Sequence, residues 1–375
     1  MKVASLVSAL ALACVCVGAP AVGAAQTTAS ADIPKAKVKA GYKVPRMADG
    51  KPELEGIWTN ATTTRLDRPA NFGDRLLLTP QELAQTENAT VERNARQNKV
   101  TDQATIDNWK TAALQPDTTD ECRSGSRGAA CGYNAGWTDP GDRVMRVNGE
   151  PRTSMITFPA NGRMPARAAG AGRGAGRAQI VESSEDGPAS TRSGQNDNPE
   201  GRSLGERCIM SFGISSGPVM TPQLYNNTYK FVQTKDTVAI YVEMVHDVRI
   251  VRLNSSHRTD GLRPYMGDSI GWWDGDTLVV ETINFHPLQN VRGAGPKLKV
   301  TERFTRVAPD RLHYGFKVED PETWVQPWGG EYEFGATNSI HEYACHEGNY
   351  GLQNILAGAR FEEQQAAAKD QRAAR

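Results

Sequence analysis

The sequence predicts a mainly β fold in which an antiparallel meander forms a barrel or a strongly curved sheet, with one helix before the strands and a short helix after them. From about residue 228 to residue 347, apolar segments of strand length alternate with turn signals, and the last predicted strand covers residues 340–347. A two-residue turn at Lys235-Asp236 would pair Phe231 with Ile240. The strongest turn signal is Asp274-Gly275, which lies between two segments rich in β-branched and aromatic residues. Hairpins in succession with no helix between them favour an antiparallel sheet over an α/β fold.

The N-terminus has the pattern of a secretory signal peptide. Met1-Lys2 precedes an apolar run over residues 3–17, and small residues follow up to Ala25. This pattern predicts a signal peptide over residues 1–25 that is cleaved near Ala24 or Ala25. The apolar run is too short for a membrane span, and a lipoprotein site at Cys14 is a weaker alternative. We therefore expect the mature protein in the periplasm or outside the cell.

Charge and cysteine content narrow the expected partners. The chain carries 43 basic and 43 acidic residues, which argues against a nucleic acid or an anionic membrane surface as partner. Four cysteines lie beyond the signal peptide, namely Cys122, Cys131, Cys208 and Cys345. An even number in an oxidising compartment predicts disulfides, and we favour Cys122–Cys131 and Cys208–Cys345. A zinc site is less favoured, because the sequence has no C-x2-C pair.

The predicted domain organisation is a single β-rich domain over residues 52–361. Residues 26–51 are rich in Ala, Lys and Pro and are expected to form a flexible lead, and residues 362–375 a flexible tail. The Gly-, Ala-, Arg- and Ser-rich residues at about 161–207 cannot bury an apolar face, so they predict a flexible loop that interrupts the domain.

Two helices are predicted at the ends of this domain. Thr79 is a good N-cap, Pro80 suits the first helical position, and Glu82 completes a capping box. These signals predict a helix from Pro80 to about residue 98. Residues 348–360 predict the short closing helix.

The segment from Thr237 to Leu253 is the centre of the predicted sheet. It contains no Gly, Pro or Asn, and Asp247 is its one turn former inside the apolar pattern. It therefore predicts one long bent strand, or two strands joined by a bulge near Val245-His246. One parity of this segment collects the apolar residues Val238, Ile240, Val242, Met244, Val248 and Ile250. His246 shares that parity, so we expect it on the apolar face.

The following strands each add a carboxylate to an apolar face. If Trp273 pairs with Asp276, Glu281 shares its face with apolar residues, namely Ile270, Trp272, Val279, Ile283 and Phe285. Glu302 has the parity of Leu298, Val300 and Phe304. A carboxylate among apolar groups has a raised pKa, and an imidazole beside a carboxylate is held charged. His246, Glu281 and Glu302 are therefore the predicted catalytic residues. The alternative is that these faces look to solvent, or that each group satisfies a local hydrogen bond.

Two further motifs contain candidate catalytic residues. His341-Glu-Tyr-Ala-Cys-His346 places its second histidine one residue too late for the zinc motif H-E-x-x-H. His346 is therefore a reserve catalytic candidate, and no metal or cofactor is predicted. A metal held by His246, His346 and a distant carboxylate remains an alternative. The G-x-S-x-G match at Ser215 is followed by Pro218 and no helix, which is unlike a hydrolase nucleophile.

Five residues are predicted to contact a small-molecule ligand or substrate. Asp247, Arg249 and Arg252 are placed to orient an anionic group, although they also fit a solvated face. Trp272 is predicted to stack on a sugar or phenolic ring if it is exposed, and to pack in the core otherwise. Tyr241 is the fifth predicted contact.

Four sequence runs resemble a known family. They are Glu243-Met-Val-His-Asp-Val-Arg249, residues 266–282 around Gly-Asp-Ser-Ile-Gly-Trp-Trp-Asp-Gly-Asp-Thr, Glu302-Arg-Phe-Thr-Arg306, and residues 341–350 with the sequence His-Glu-Tyr-Ala-Cys-His-Glu-Gly-Asn-Tyr. The chain resembles a family of secreted, largely uncharacterised proteins of Gram-negative bacteria, over about residues 54–361. The resemblance implies export and a β-rich fold, and it transfers no catalytic residue.

The function predicted from these observations is an extracytoplasmic enzyme that uses metal-free His/carboxylate acid–base chemistry. A lyase, an isomerase or a hydrolase acting on a small glycoside or a plant-derived aromatic molecule fits this prediction. The alternatives are a non-catalytic periplasmic carrier of a small ligand, and a structural module of the cell envelope.

Overall fold

The structure is a computed structural model that describes residues 32–97, 139, 141–171, 196, 198–211, 216–289 and 291–373. These residues belong to one compact unit, and the mainly β fold predicted from the sequence is confirmed. No helix in this part of the chain is both long and apolar enough to cross a membrane.

The described residues form twelve strands and two α-helices. The strands are β1 (Gly56–Thr59), β2 (Arg146–Val147), β3 (Glu150–Pro151), β4 (Ile156–Phe158), β5 (Thr228–Gln233), β6 (Thr237–Val242), β7 (Val248–Leu253), β8 (Asp268–Asp274), β9 (Thr277–Ile283), β10 (Lys299–Ala308), β11 (Arg311–Glu319) and β12 (Trp328–Ala336). The helices are α1 (Pro80–Gln97) and α2 (Tyr350–Ala373).

Nine strands close into a barrel in the order β1, then β5 to β12 in sequence, because β1 pairs with both β5 and β12. β4 adds to one end of β12, and β2 pairs with β3 in a separate small sheet. The barrel is mixed rather than a pure meander, since β7 and β8 run parallel. Parallel neighbours need a crossover, and residues 254–267 supply one that contains no helix. This crossover loop becomes important for the candidate site.

Aromatic and aliphatic side chains fill the barrel. The largest buried side chains on β5, β10, β11 and β12 are Tyr229, Phe231, Phe304, Tyr314, Phe316, Trp328, Tyr332 and Phe334. Tyr314 lies at the centre of this group, with ring centroids of Tyr332 at 4.9 Å and of Phe304 at 5.0 Å. The interior is therefore a packed core.

The segment from Thr237 to Leu253 is a tight hairpin, which corrects the prediction of one bent strand or a bulge. Strands β6 and β7 pair antiparallel, with Tyr241 opposite Val248. Met244–His246 form a short 3-10 turn in which Val245 has φ 60° and His246 has φ 45°. The turn contains no Gly or Asn, and its first positive-φ position is a valine, which rarely adopts that conformation. Asp247 and the expected bulge marked the place in the sequence, but they did not indicate a full reversal of the chain.

This turn also reverses the predicted face of β7. Val248 and Ile250, expected in the core, are 47% and 50% exposed. Arg249 and Val251 point into the barrel instead and are buried. A strand that starts one residue out of phase moves every side chain to the other face.

The other hairpins follow the prediction more closely. Phe231 lies opposite Ile240, as expected for the turn at Lys235-Asp236. In the β8–β9 hairpin, Trp273 pairs with Leu278 rather than with Asp276. This shift of two residues keeps the predicted faces, because side chains alternate with a period of two.

The predicted start of α1 is confirmed. The Thr79 backbone N–H donates to Glu82 Oε2 at 2.8 Å, and the Glu82 N–H donates to Thr79 Oγ1 at 3.3 Å. The closing helix α2 continues to Ala373, past its expected end at residue 360. Residues 337–349, where a last strand was expected over 340–347, have no regular structure.

The disulfide between Cys208 and Cys345 is present, with Cα atoms 5.7 Å apart. It ties the segment before β5 to the segment before α2. Cys122 and Cys131, the other predicted pair, lie outside the described residues.

Candidate functional site on the outer face of the barrel

The structure does not bring the four predicted catalytic side chains together, which corrects the predicted cluster. His246 is exposed in the β6–β7 turn, and His346 is exposed in the irregular segment before α2. Glu281 lies on the outer face of β9, whereas Glu302 points into the barrel and is fully buried. Every strand of a closed barrel has an inner and an outer face. The alternation of side chains within one strand does not tell which face is the inner one, so it could not show that Glu281 and Glu302 lie on opposite faces.

Glu302 forms a buried ion pair with Arg249 inside the barrel. Arg249 Nη1 lies 3.1 Å from Glu302 Oε1, and Nη2 lies 2.9 Å from Oε2. The Tyr314 hydroxyl donates to the same carboxylate at 2.8 Å. Arg249, predicted to clamp a substrate, therefore neutralises a core carboxylate.

The segment around Met220, which includes Gly217, covers this ion pair. The carbonyl of Met220 accepts hydrogen bonds from Asn60 Nδ2 at 2.7 Å and from the Tyr332 hydroxyl, and its N–H donates to Tyr314 Oη at 3.2 Å. A Cβ added to Gly217 would lie 3.1 Å from Arg249 Nη1. The polar groups of the core thus bind the backbone of this segment, which separates Glu302 from solvent.

Two further predicted ligand contacts, Asp247 and Tyr241, are not among the residues that line the surface pocket beside the β7–β8 loop. Asp247 accepts hydrogen bonds from Ser216 Oγ at 2.6 Å and from the Ser211 N–H at 3.3 Å. Burial raises the pKa of Asp247, and these two hydrogen bonds offset only part of that rise. Tyr241 is partly exposed on the outer face of β6, opposite Val248. Trp272, also on the outer face, is 39% exposed.

Glu281 and Arg252 lie on the outer face near His257, a residue that was not predicted from the sequence. His257 Nδ1 lies 2.9 Å from Asp268 Oδ2, and His257 Nε2 lies 3.2 Å from Glu281 Oε1. Arg252 Nη2 lies 2.6 Å from Asp268 Oδ1, and Lys299 Nζ lies 3.8 Å from Glu281 Oε2. We call His257, Asp268, Glu281 and Arg252 the His257 cluster.

Strand register builds the His257 cluster. Arg252 lies opposite Ile270, and Ile270 lies opposite Glu281, so the three side chains form one row on the outer face. The crossover loop between β7 and β8 then places His257 near both carboxylates. A parallel pair of strands needs such a loop, and no pattern in the sequence indicated the parallel pairing.

Asp268 is the member of this cluster whose side chain is buried and held by several hydrogen bonds. Its side chain is 4% exposed, and burial alone would raise its pKa. Hydrogen bonds from the Arg258 N–H at 2.8 Å and from His257, together with Arg252, outweigh burial, so the pKa of Asp268 is lowered. An ionised carboxylate held in this way fixes the orientation of the imidazole next to it.

A surface pocket of about 300 Å³ opens beside the crossover loop. Its lining residues are Arg258, Thr259, Gly261, Arg263, Asn284 and Pro296, and we call it the loop pocket. Arg258 is the residue after His257, so the pocket borders the His257 cluster.

A second histidine, His286, lies next to the loop pocket. Burial lowers the pKa of His286, and the positive charge of Arg263 lowers it further. His286 Nδ1 accepts a hydrogen bond from the Leu288 N–H at 3.1 Å, and Tyr265 packs against the ring with centroids 4.3 Å apart. An imidazole that accepts at Nδ1 carries its proton on Nε2. His286 is therefore a neutral ring that can donate from Nε2.

His257 and His286 were missed because both lie in loops, where no hydrophobic periodicity assigns a side chain to a face. The one local signal was the polar run Ser255-Ser-His-Arg-Thr-Asp-Gly261 between two strands. A polar loop that carries a histidine and an arginine is a reasonable place to look for function.

The sequence matches no protein-family model and no curated protein. Within the described residues, no group of three or more His, Cys, Asp or Glu side chains is arranged to hold a metal ion.

Proposed function

We propose that this protein is an extracytoplasmic enzyme that carries out acid–base chemistry on a small organic molecule at the His257 cluster. The observation that carries the proposal is the position of His257, with one ring nitrogen on a buried carboxylate and the other on a more exposed one. His257 and Glu281 are the proposed acid and base, and Asp268 is the proposed positioning residue.

The exposure of the cluster supports this assignment. The His257 and Glu281 side chains are 18% and 29% exposed, so a substrate can reach the edge that they share. Asp268 lies beneath them and is held by Arg252 and by the Arg258 backbone. A buried carboxylate that orients an imidazole whose second nitrogen faces the substrate is a recurring arrangement in acid–base catalysis.

Proton transfer between these groups and a substrate returns the enzyme to its starting protonation state. In an isomerisation, the Glu281 carboxylate would remove a proton from the substrate, and the imidazolium of His257 would deliver one from Nε2 to another substrate atom. The proton on Glu281 then passes to His257, because their oxygen and nitrogen lie 3.2 Å apart. An elimination or a hydrolysis would use the same two groups.

A non-catalytic ligand carrier is the second candidate. Both nitrogens of His257 already have carboxylate partners, and Lys299 also lies near Glu281. Groups that satisfy each other in this way can simply stabilise a surface on which a ligand rests. The packed barrel interior favours the loop pocket over the core as the ligand site of such a carrier.

Export to the periplasm or the medium is part of the proposal. It is supported by the signal-peptide pattern over residues 1–25, by the resemblance to secreted Gram-negative proteins, and by a disulfide between Cys208 and Cys345. The equal numbers of basic and acidic residues favour a small-molecule partner over a nucleic acid.

The test is a screen of the mature protein against small glycosides and plant-derived aromatic compounds, read by mass spectrometry for elimination, isomerisation and hydrolysis products. Replacing His257 by Ala is expected to lower turnover of a substrate found in this screen by about two to four orders of magnitude. His341→Ala is the matched control, because the side chain of His341 is exposed outside the cluster. Turnover that survives His257→Ala would remove the catalytic assignment. Binding of a panel compound that is never converted would favour the carrier.

A further inference from the structure

The lining of the loop pocket carries positive charge and no negative charge. Two of its six lining residues are arginines, and none is acidic. Thr259 and Asn284 add a hydroxyl and an amide, which are neutral hydrogen-bonding groups. A pocket with this lining attracts negative charge.

The two arginines are not equally compensated. Arg258 forms a two-point contact with Asp260, in which Nε lies 3.2 Å from Oδ1 and Nη2 contacts Oδ2. Arg263 has no ion-pair partner among the described residues, and its buried Nε has no hydrogen-bond partner there either. A buried N–H of a guanidinium without an acceptor is costly, so a ligand that brings an acceptor to Arg263 is favoured.

The charge of Arg263 also acts on His286. Besides its burial, the charge of Arg263 disfavours protonation of His286. The guanidinium of Arg263 thus lies close enough to affect the ring of His286, whose backbone N–H donates to the carbonyl of Pro264, the residue after Arg263, at 3.0 Å. An anion bound to Arg263 would cancel this effect.

The size of the pocket sets the class of ligand. A volume of about 300 Å³ is at the lower end of the range of about 300–1,000 Å³ found for small-molecule sites. Guanidinium groups bind planar or tetrahedral oxyanions through paired hydrogen bonds. The Arg258 N–H also bonds to Asp268, so an oxyanion in this pocket would hold the rest of the molecule beside the His257 cluster.

We infer that the loop pocket binds the oxyanion group of a small organic molecule, a carboxylate or a phosphate or sulfate ester, through Arg263 and Arg258. This inference rests on the proposed function in one respect, since it names the substrate class of the same site. For the enzyme it means that an acidic sugar or an aromatic acid is a better substrate than its uncharged counterpart.

The test is calorimetric titration of the mature, disulfide-bonded protein with matched pairs of probes. Galacturonate is compared with galactose, and benzoate with benzyl alcohol, while phenyl phosphate and phenyl sulfate distinguish ester anions from carboxylates. At least one anion is expected to bind about tenfold or more tightly than its uncharged counterpart. Equal binding of charged and uncharged probes would overturn the inference, and so would no binding of any anion at about 10 mM.

Variants then assign the binding to the arginines. Arg263→Gln is expected to weaken anion binding by about tenfold or more, and Arg263→Lys by less, because a lysine keeps the charge and loses the paired donors. Arg311→Gln is the matched control, since Arg311 is 47% exposed and pairs with Asp310 at the start of β11. An unchanged affinity in Arg263→Gln would contradict the inference.

A measurement on the wild-type protein covers the case in which a variant fails to fold. The pKa of His286, followed by NMR, is expected to rise when the anion binds, because the charge of Arg263 is then neutralised. A constant pKa at saturating anion would place the anion elsewhere.

His257→Ala separates this inference from the proposed function. If anion binding is kept and turnover is lost, both stand. If turnover depends on His257 but the anions do not require Arg263, only the inference fails. If the anions require Arg263 but turnover does not depend on His257, only the catalytic assignment fails.

Discussion

Arg249 Nη2 lies 2.9 Å from Glu302 Oε2 inside the barrel, although these residues belong to strands β7 and β10, which are not neighbours in the sheet. Their side chains are 2% and 0% exposed. The pair thus crosses the core and holds two walls of the barrel in one register. Because its members are sealed beneath the segment around Met220, their role is better tested by stability than by activity.

Removing one member of this pair is expected to be strongly destabilising. Arg249→Met leaves the Glu302 carboxylate buried without a positive partner, and the expected loss is about 3–5 kcal/mol in the free energy of unfolding. The double variant Arg249→Met/Glu302→Leu is expected to lose less, since it leaves no lone charge in the core. Guanidinium unfolding measures both values. A double variant whose loss equals the sum of the losses in Arg249→Met and Glu302→Leu would show that the ion pair is not the cause.

The β6–β7 turn predicts a stabilising change at His246. This residue has φ 45° and an exposed side chain. Positive φ costs an L-residue other than glycine roughly 1 kcal/mol, so His246→Gly is expected to stabilise the protein by up to about 1 kcal/mol, and Asn by less. The measurement is the midpoint of denaturant unfolding.

The same variant also tests the sequence prediction that His246 is catalytic. Exposure in a turn outside the His257 cluster predicts that His246→Gly keeps the activity that His257→Ala loses. A large loss of turnover in His246→Gly, at unchanged or higher stability, would restore the catalytic role predicted from the sequence.

Asp247 predicts a dependence of stability on pH. Burial raises the pKa of this carboxyl in the folded protein above that in the unfolded chain. The folded state therefore binds the proton more tightly, and stability falls as the pH rises from the unfolded pKa through the folded one. The unfolding free energies of the wild type and of Asp247→Asn are measured from acid to neutral pH. As the pH rises, the wild type is expected to lose stability relative to the variant. A difference that stays constant with pH would contradict the raised pKa.

The disulfide predicts a loss of stability when it is removed. Cys208 and Cys345 are 137 residues apart in the sequence, so the bond closes a long loop in the unfolded chain. Loss of a bond that closes a loop of this length is expected to cost about 2–5 kcal/mol. Guanidinium unfolding of Cys208→Ser/Cys345→Ser against the wild type measures it. An unchanged midpoint, with the bond verified in the wild type by peptide mapping, would show that this bond does not stabilise the fold.

Features that depend on a few neighbouring residues were predicted from the sequence. The capping box of Thr79 and Glu82 and the pairing of Phe231 with Ile240 follow from local hydrogen bonding and turn length. The Cys208–Cys345 disulfide was favoured from cysteine count and position alone. The β-rich class followed from repeated hairpins, because each hairpin is specified by its own residues.

The tertiary structure decided which face of each strand is the inner one. The turn at Val245-His246 has no glycine or asparagine to announce it, and it alone moved Arg249 into the core and Val248 out of it. Glu281 and Glu302 have equally apolar strands, yet only closure of the barrel put one outside and the other inside. The sequence by itself determined the β class and the helix cap, since these arise from contacts or patterns close in the chain, and it indicated the disulfide through the even number of cysteines beyond the signal peptide. The His257 cluster required the parallel crossover between β7 and β8, because only that long-range pairing brings Arg252, His257 and Glu281 to one surface.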